Sequence, residues 1–498
     1  MLSIELLYFV AMLATFIVLL LVCKCNAGVS LMCSALVGGL LYAICSGNWF
    51  ALNPRYYIEG ASGYFDTILI IVAAMVFIGG AEACGALDYV SALLVKAFRK
   101  FPTVLLLSFM LILMLPGMIT GSSLSAIISC GTIVAPIMLK MGIPKQKVGA
   151  IIAFGAILGM IAPPINIPVM VICDVVDIPY TGFDAPLMLL TFPMAVIVTL
   201  FLSRSFSFKK QENEEPVKKN WLENGIILGV LAAAYLVLLV LFLTCKDAKL
   251  TKLYSAYLVV FAVILAIAAA IVVFGKPYSP TISKEKAAEI VNMEVLKELK
   301  WYVLTPIFTL IVLYVLQSVL PNIVGLWGSP LIFILSFIPS IFIGRKKNAI
   351  EVVKNGIGKS VSAMALLMGV GMFLEIMTLN GVRGYFVINA VSLPNTWQYV
   401  SIAIAMPLFG GVSAFGSASI LGGPFVMALK ANAVYVAATL SLVASIGEFL
   451  PPTAISANFA SQIVGEKKYS KVTMAAAVPL LLILAYALVF IIKVAAVA

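Results

Sequence analysis

The sequence predicts an all-α polytopic membrane protein, and three observations carry that prediction. Of its 498 residues 63% are hydrophobic, only 11% are charged, and the apolar residues fall into runs of bilayer-crossing length. An ordinary soluble domain carries roughly 25% charged residues, so a soluble enzyme, a disordered chain and a secreted disulfide scaffold are excluded. No polar stretch is long enough for an extramembrane domain, which argues against a one-span receptor.

Taken in order, apolar runs able to span lie at 4–22, 27–46, 67–87, 147–175, 185–203, 222–244 and 253–274. Others follow at 302–320, 330–344, 361–380, 433–463 and 472–494, which makes about twelve transmembrane helices. The first opens with Met1-Leu2-Ser3-Ile4-Glu5, without a basic leader or cleavage site, and reads as a retained span. Two stretches, 101–140 and 398–431, are too long for one span and are interrupted by small polar residues. Each reads as a re-entrant hairpin that returns to the side it entered from. Runs 147–175 and 433–463 contain Pro163-Pro164 and Pro451-Pro452, which remove donors and clash with the preceding turn, so both predict broken helices. Connectors 49–66, 88–100, 345–360 and 381–396 predict surface-lying arms.

An internal repeat organises these elements. Pro136, Gly159, Pro163 and Pro164 recur as Pro424, Gly447, Pro451 and Pro452 at one offset of 288 residues. A small-polar cluster precedes each copy: Gly121-Ser122-Ser123-Leu124-Ser125, then Ser413 to Ser419. The domain reading is a first repeat at 1–203, polar linkers with two connecting helices at 204–301, and a second repeat at 302–498. The charges reverse between copies. Arm 49–66 carries only Arg55 while 88–100 carries Lys96, Arg99 and Lys100; arm 345–360 is rich in Lys and Arg while 381–396 carries only Arg383. Lys140, Lys145 and Lys147 leave the first hairpin, Lys430 alone leaves the second, and the last connector holds Lys467, Lys468 and Lys471. Because Lys and Arg mark cytoplasmic loops, the halves read as inverted repeats with both termini outside; Lys246, Lys249 and Lys252 are the exception. The net charge of +11 is therefore topological and does not announce a nucleic-acid partner.

Inverted repeats with paired broken elements are a signature of secondary transporters. Irregular backbone survives at the midplane only where it is buried or lines a cavity. Asn166 and the carbonyls freed from Gly159 to Ala162 offer hard oxygen ligands for a cation such as Na⁺. The Gly121-Ser122-Ser123 tip offers a turn, hydroxyls and helix-start N–H groups that attract a carboxylate. Pro451-Pro452-Thr453 and the Ser413 to Ser419 cluster repeat the arrangement. Glu448, three residues before Pro451, is expected to help bind the coupling cation; Glu82, Asp174 and Glu375 are further acids in or near apolar runs. With no histidine in the chain, Cys/His zinc sites and His-based triads are excluded, and no other cofactor is expected.

The run from Ile119 to Ala126, with Gly131, Pro136, Met141-Gly142 and Gly159 to Pro164, resembles the large permease subunit of TRAP transporters over about residues 60–205. The resemblance implies an elevator-type fold of the ion-transporter superfamily in a bacterial inner membrane. It also implies sodium-coupled uptake of an organic acid, with a small four-helix membrane subunit and a periplasmic binding protein as partners. Carried over by position, Gly121, Ser122, Ser123 and Pro163 to Asn166 form a first sodium site, to which the residue reading adds Gly159 and Ala162. Gly416, Ser417, Ser419 and Pro451 to Thr453 form a second, to which it adds Glu448. The expected substrate groups are Ser122, Ser123, Ser125, Asn166, Ser413, Ser417 and Thr453. The alternatives are a self-sufficient carrier of the same superfamily and, from another class, a membrane-embedded serine enzyme. The enzyme would need a base beside Ser122 or Ser123, and no lysine lies in an apolar run before Lys493.

Overall fold

The computed structural model describes residues 4–23, 25–205, 221–244, 248–277, 295–319, 328–345, 348–411, 413–429, 431–451 and 453–495. Lys24, Lys246, Lys346, Lys347, Lys430, Pro452 and the polar linker segments 206–220 and 278–294 lie outside the described residues. The described chain is helical apart from one short antiparallel pairing of Arg204–Ser205 with Lys276–Pro277.

Most helices lie where the apolar runs predict them: Ile4–Leu21, Ala27–Ser46, Phe65–Cys84, Asp184–Leu202, Trp221–Thr244, Ala248–Phe274, Thr305–Val319, Gly328–Phe342 and Tyr469–Phe490. Among the described residues eight helices are long and apolar enough to cross a membrane, or up to nine with the pair Ile68–Cys84 and Ala86–Phe98, which bends by 61°. One boundary differs from expectation. The arm at 345–360 and the span at 361–380 form a single helix, Ala349–Leu379, capped by the Asn348 side chain, which accepts from Ile350 N. Its basic first turns read as a connector in sequence, while its glycines serve close helix crossing. A Cβ at Gly356 would lie 2.9 Å from the Val76 Cα, and one at Gly371 would collide with the Gly60 carbonyl.

Helix Ala349–Leu379 is the spine of one half of the molecule. Helices Ala27–Ser46, Pro54–Ser62 and Phe65–Cys84 pack on it, and Gly328–Phe342 packs on Phe65–Cys84. The other half holds the hairpins and broken helices. The first hairpin rises along Pro102–Thr120 and returns through Ser123–Ala126, a π-helical turn Ile127–Gly131, and Thr132–Lys140. The broken helix Lys145–Ile161 runs parallel to its rising arm: Gly155 packs on Met110 and Leu113, and Gly159 lies under Met114. It resumes as Ile167–Val176.

The second copy has the same build, with Asn395–Gly410, Ala414–Ser417, a π-helical turn Ala418–Gly422 and Gly423–Ala428 as its hairpin. Helix Ala433–Ser445, a 3₁₀ turn Ile446–Phe449 and Ile455–Ile463 form its broken helix, with Gly447 under Pro407 and Gly410. The two copies enter from opposite ends. Gly149, near the start of the first broken helix, packs on Val464 and Val472 beyond the end of the second. Ile172 and Val175, near the end of the first, pack on Gly422 and Gly423 in the second hairpin.

Basic-rich connectors touch one another in two places. Gln146 donates to Glu466 Oε2 at 2.9 Å, and Lys471 pairs with Glu466 at 3.1 Å. On the spine half, Arg345 pairs with Asp88 at 2.9 Å and so joins two of the basic arms.

Candidate transport site

Each hairpin tip is set by a serine cap. Gly121 turns the chain with φ +62, against Ile165 and Ile167 of the break. Ser122 Oγ then accepts from Ser125 N at 3.4 Å, and Ser413 Oγ accepts from Gly416 N at 3.2 Å. The caps at Ser122 and Ser413 stand 291 residues apart, not 288, so the second hairpin is three residues shorter between its tip and Pro424. Both tips lead into π-helical turns, a distortion frequent at functional sites that neither sequence nor hydropathy announced.

The breaks keep the offset of 288. Ile165 N donates to the Met118 carbonyl at 3.3 Å, and Thr453 N, its counterpart, donates to the Gly411 carbonyl at 3.1 Å. Each break is thereby tied to the top of its own hairpin, which satisfies backbone groups that the interrupted helices leave without a partner. Asn166 caps the resumed helix: its Oδ1 accepts from Val169 N at 3.0 Å, and its Nδ2 donates to Ile161 O at 2.8 Å and Ser441 Oγ at 3.0 Å. Asn166→Ala is expected to lower stability by about 1–2 kcal/mol, through the lost cap, read as the thermal midpoint of purified protein. An unchanged midpoint would show that the cap carries no weight. Ala454 holds the matching position at φ +42 with no side-chain cap.

Besides the Asn166–Ser441 bond, the two copies meet at a buried carboxylate. Ser123 Oγ, on the first tip, donates to Glu448 Oε2 at 2.7 Å, and Ser456 Oγ donates to the same oxygen. Glu448 is only 4% exposed. Beside it lies a cavity of about 160 Å³, walled by Ser122, Ser123, Ser125, Phe415 and Glu448 from the hairpin half and by Asn26, Met75 and Lys359 from the spine half. Hydroxyl and carboxylate oxygens at a broken helix suit a hard cation. Among the described residues no three His, Cys, Asp or Glu side chains converge, as a transition-metal site would need.

Of the residues expected from sequence, Ser122, Ser123, Ser125 and Glu448 share this cavity. The rest sit in the hairpin-to-break joints. Ala162 N closes the first broken helix onto Leu158 and Gly159, and Pro163 follows at once. In the second copy Ser417 donates to Met406 O at 2.8 Å, Ser419 to Gly416 O at 2.9 Å and Thr453 to Gly411 O at 2.6 Å, with the Pro451 carbonyl against Gly411. Asn26, Ser129, Lys359 and Ser456 were not expected; only their fold neighbours, far off in sequence, identify them. Asp174 and Glu375 line a second cavity with Glu59 and Arg383, and Arg383 donates to the Val175 carbonyl.

The family model described as "Tripartite ATP-independent periplasmic transporter, DctM component" matches residues 13–267, slightly more than half of the chain. No curated protein matches it. The match takes in the first hairpin and the first broken helix; the second copy lies beyond it, and its kinship rests on the shared caps, joints and packing. The chain belongs to the DctM family and is a multi-pass membrane component of a TRAP-type transporter.

Proposed function

We propose that this chain is the large membrane subunit of a system that takes up a small organic anion of the carboxylate or dicarboxylate class. Na⁺ drives the uptake by alternating access across a bacterial inner membrane. A periplasmic binding protein delivers the anion, a small four-helix membrane subunit assists, and no cofactor beyond Na⁺ takes part. The observation that carries the reading is the Ser123–Glu448–Ser456 crossing, a buried carboxylate held between opposed broken elements. The first tip and break (Gly121 to Ser123, with Gly159 to Asn166) and the second (Gly416 to Ser419, with Glu448 to Thr453) each supply oxygens to one cation. Serine hydroxyls and helix-start N–H groups at Ser122, Ser123 and Ser125 meet the anion.

Family membership supports transport of organic acids; the inverted packing of the two copies supports alternating access. The test is uptake of labelled organic acids into proteoliposomes, with and without an inward Na⁺ gradient. Gradient-stimulated uptake is expected. Flux indifferent to Na⁺ would overturn the coupling, and full uptake without binding protein would favour the self-sufficient carrier.

A further inference from the structure

We propose that Lys359 is the carboxylate anchor of the transport cavity, and that Glu82 competes with the substrate for it. Lys359 is the one cation among the described residues that line this cavity. An anion entering beside Glu448 meets repulsion there and needs a positive group elsewhere on the wall. The serines supply neutral donors, and Met75, Ile78, Leu366 and Phe415 supply apolar contact. Among the described lining residues Lys359 alone supplies positive charge.

Its present partner is exchangeable. Lys359 Nζ lies 3.1 Å from Glu82 Oε2, through a single contact, with the two side chains 42% and 37% exposed. An ion pair so exposed contributes little to stability, so a substrate carboxylate can take the place of the Glu82 carboxylate at small cost. The anchor also stands on the spine: Lys359 belongs to helix Ala349–Leu379, whereas the serines ride on the first hairpin. A bound anion therefore bridges the two halves of the molecule, and Lys359 serves the access state in which hairpin and spine are apposed as here. No sequence signal marks Lys359, because it lies in a basic arm that reads as topology.

The inference rests on the organic-anion reading, and its test separates the two. Purified full-length protein is titrated with succinate and with pyruvate, with succinamide and pyruvamide as neutral counterparts, and binding is read as a rise in melting temperature. The acids are expected to stabilise the wild type and the amides are not. Lys359→Gln is expected to weaken the acids about 10- to 100-fold, the loss of one charge-assisted hydrogen bond. Lys359→Arg is expected to restore most of the affinity, which separates lost charge from lost fold. Glu82→Gln is expected to tighten binding a few-fold by removing the competitor. Equal weakening in Lys359→Gln and Glu82→Gln would mean that the pair is only a tether, and would overturn the inference. So would a Lys359→Gln titration matching the wild type. Neither acid stabilising the wild type would overturn the organic-anion reading, and this inference with it.

Discussion

Glu448→Gln is expected to weaken the activating cation by about 100-fold or more while the protein still folds. Gln keeps an oxygen that can accept from Ser123 and Ser456, so the crossing between the copies survives. What is lost is charge. A buried carboxylate deprived of a counter-charge is costly, and breaking a buried pair by removing one partner is worth about 3–5 kcal/mol. At about 1.4 kcal/mol per factor of ten, that range spans roughly two to three and a half orders of magnitude in affinity. Among the described residues no ion pair reaches Glu448, so a bound cation is the natural compensation. Ser123→Ala removes one neutral donor to that carboxylate, worth about 1.5 kcal/mol at the low end for a charged acceptor, and should cost roughly tenfold. Sodium activation curves in proteoliposomes measure both; a wild-type curve for Glu448→Gln would remove this carboxylate from coupling.

Gly159→Val and Gly447→Val are expected to lose most of the folded protein. At both positions a Cβ would strike backbone: the Met114 carbonyl in the first copy, the Pro407 carbonyl in the second. Overpacking costs about 1–3 kcal/mol where side chains can yield, and here the neighbour is main chain at the joint between hairpin and broken helix. The upper end of that range is expected for both. Gly229→Val is the control, since a Cβ there meets nothing within 4 Å. Melting temperature and monodisperse yield after solubilisation are the readouts. Equal behaviour of all three variants would contradict the close approach in both copies.

Much of this architecture is legible in sequence because its signals are local. Hydropathy locates the helices, and proline pairs mark the breaks because a missing N–H acts on its own turn. Serine caps mark the tips in the same way. The failures are non-local. The basic residues of 345–360 make that stretch read as a surface arm, until the Val76 and Gly60 backbones beside Gly356 and Gly371 show one continuous helix packed through its glycines. The constant offset of 288 concealed the three residues missing from the second hairpin, so the correspondence of Ser123 with Ala414 was not visible. The hydrogen bond from Ser123 to Glu448 joins residues 325 positions apart. Nothing in either segment names the other; packing between inverted copies does.

That correspondence has a consequence for energetics. Two identical halves inserted in opposite directions would make the outward-facing and inward-facing forms mirror each other in energy, because exchanging the halves' shapes converts one form into the other. Departures from identity alone can tilt the balance. At the tips and breaks the departures include Asn166 against Ala454 and, at the crossing itself, Ser123, Glu448 and Ser456 where the other copy has Ala414, Met160 and Pro168. Each 1.4 kcal/mol contributed by that trio shifts the ratio of the two facing populations about tenfold. If a cation binds at this point as proposed, its occupancy would tilt the balance between the two facings.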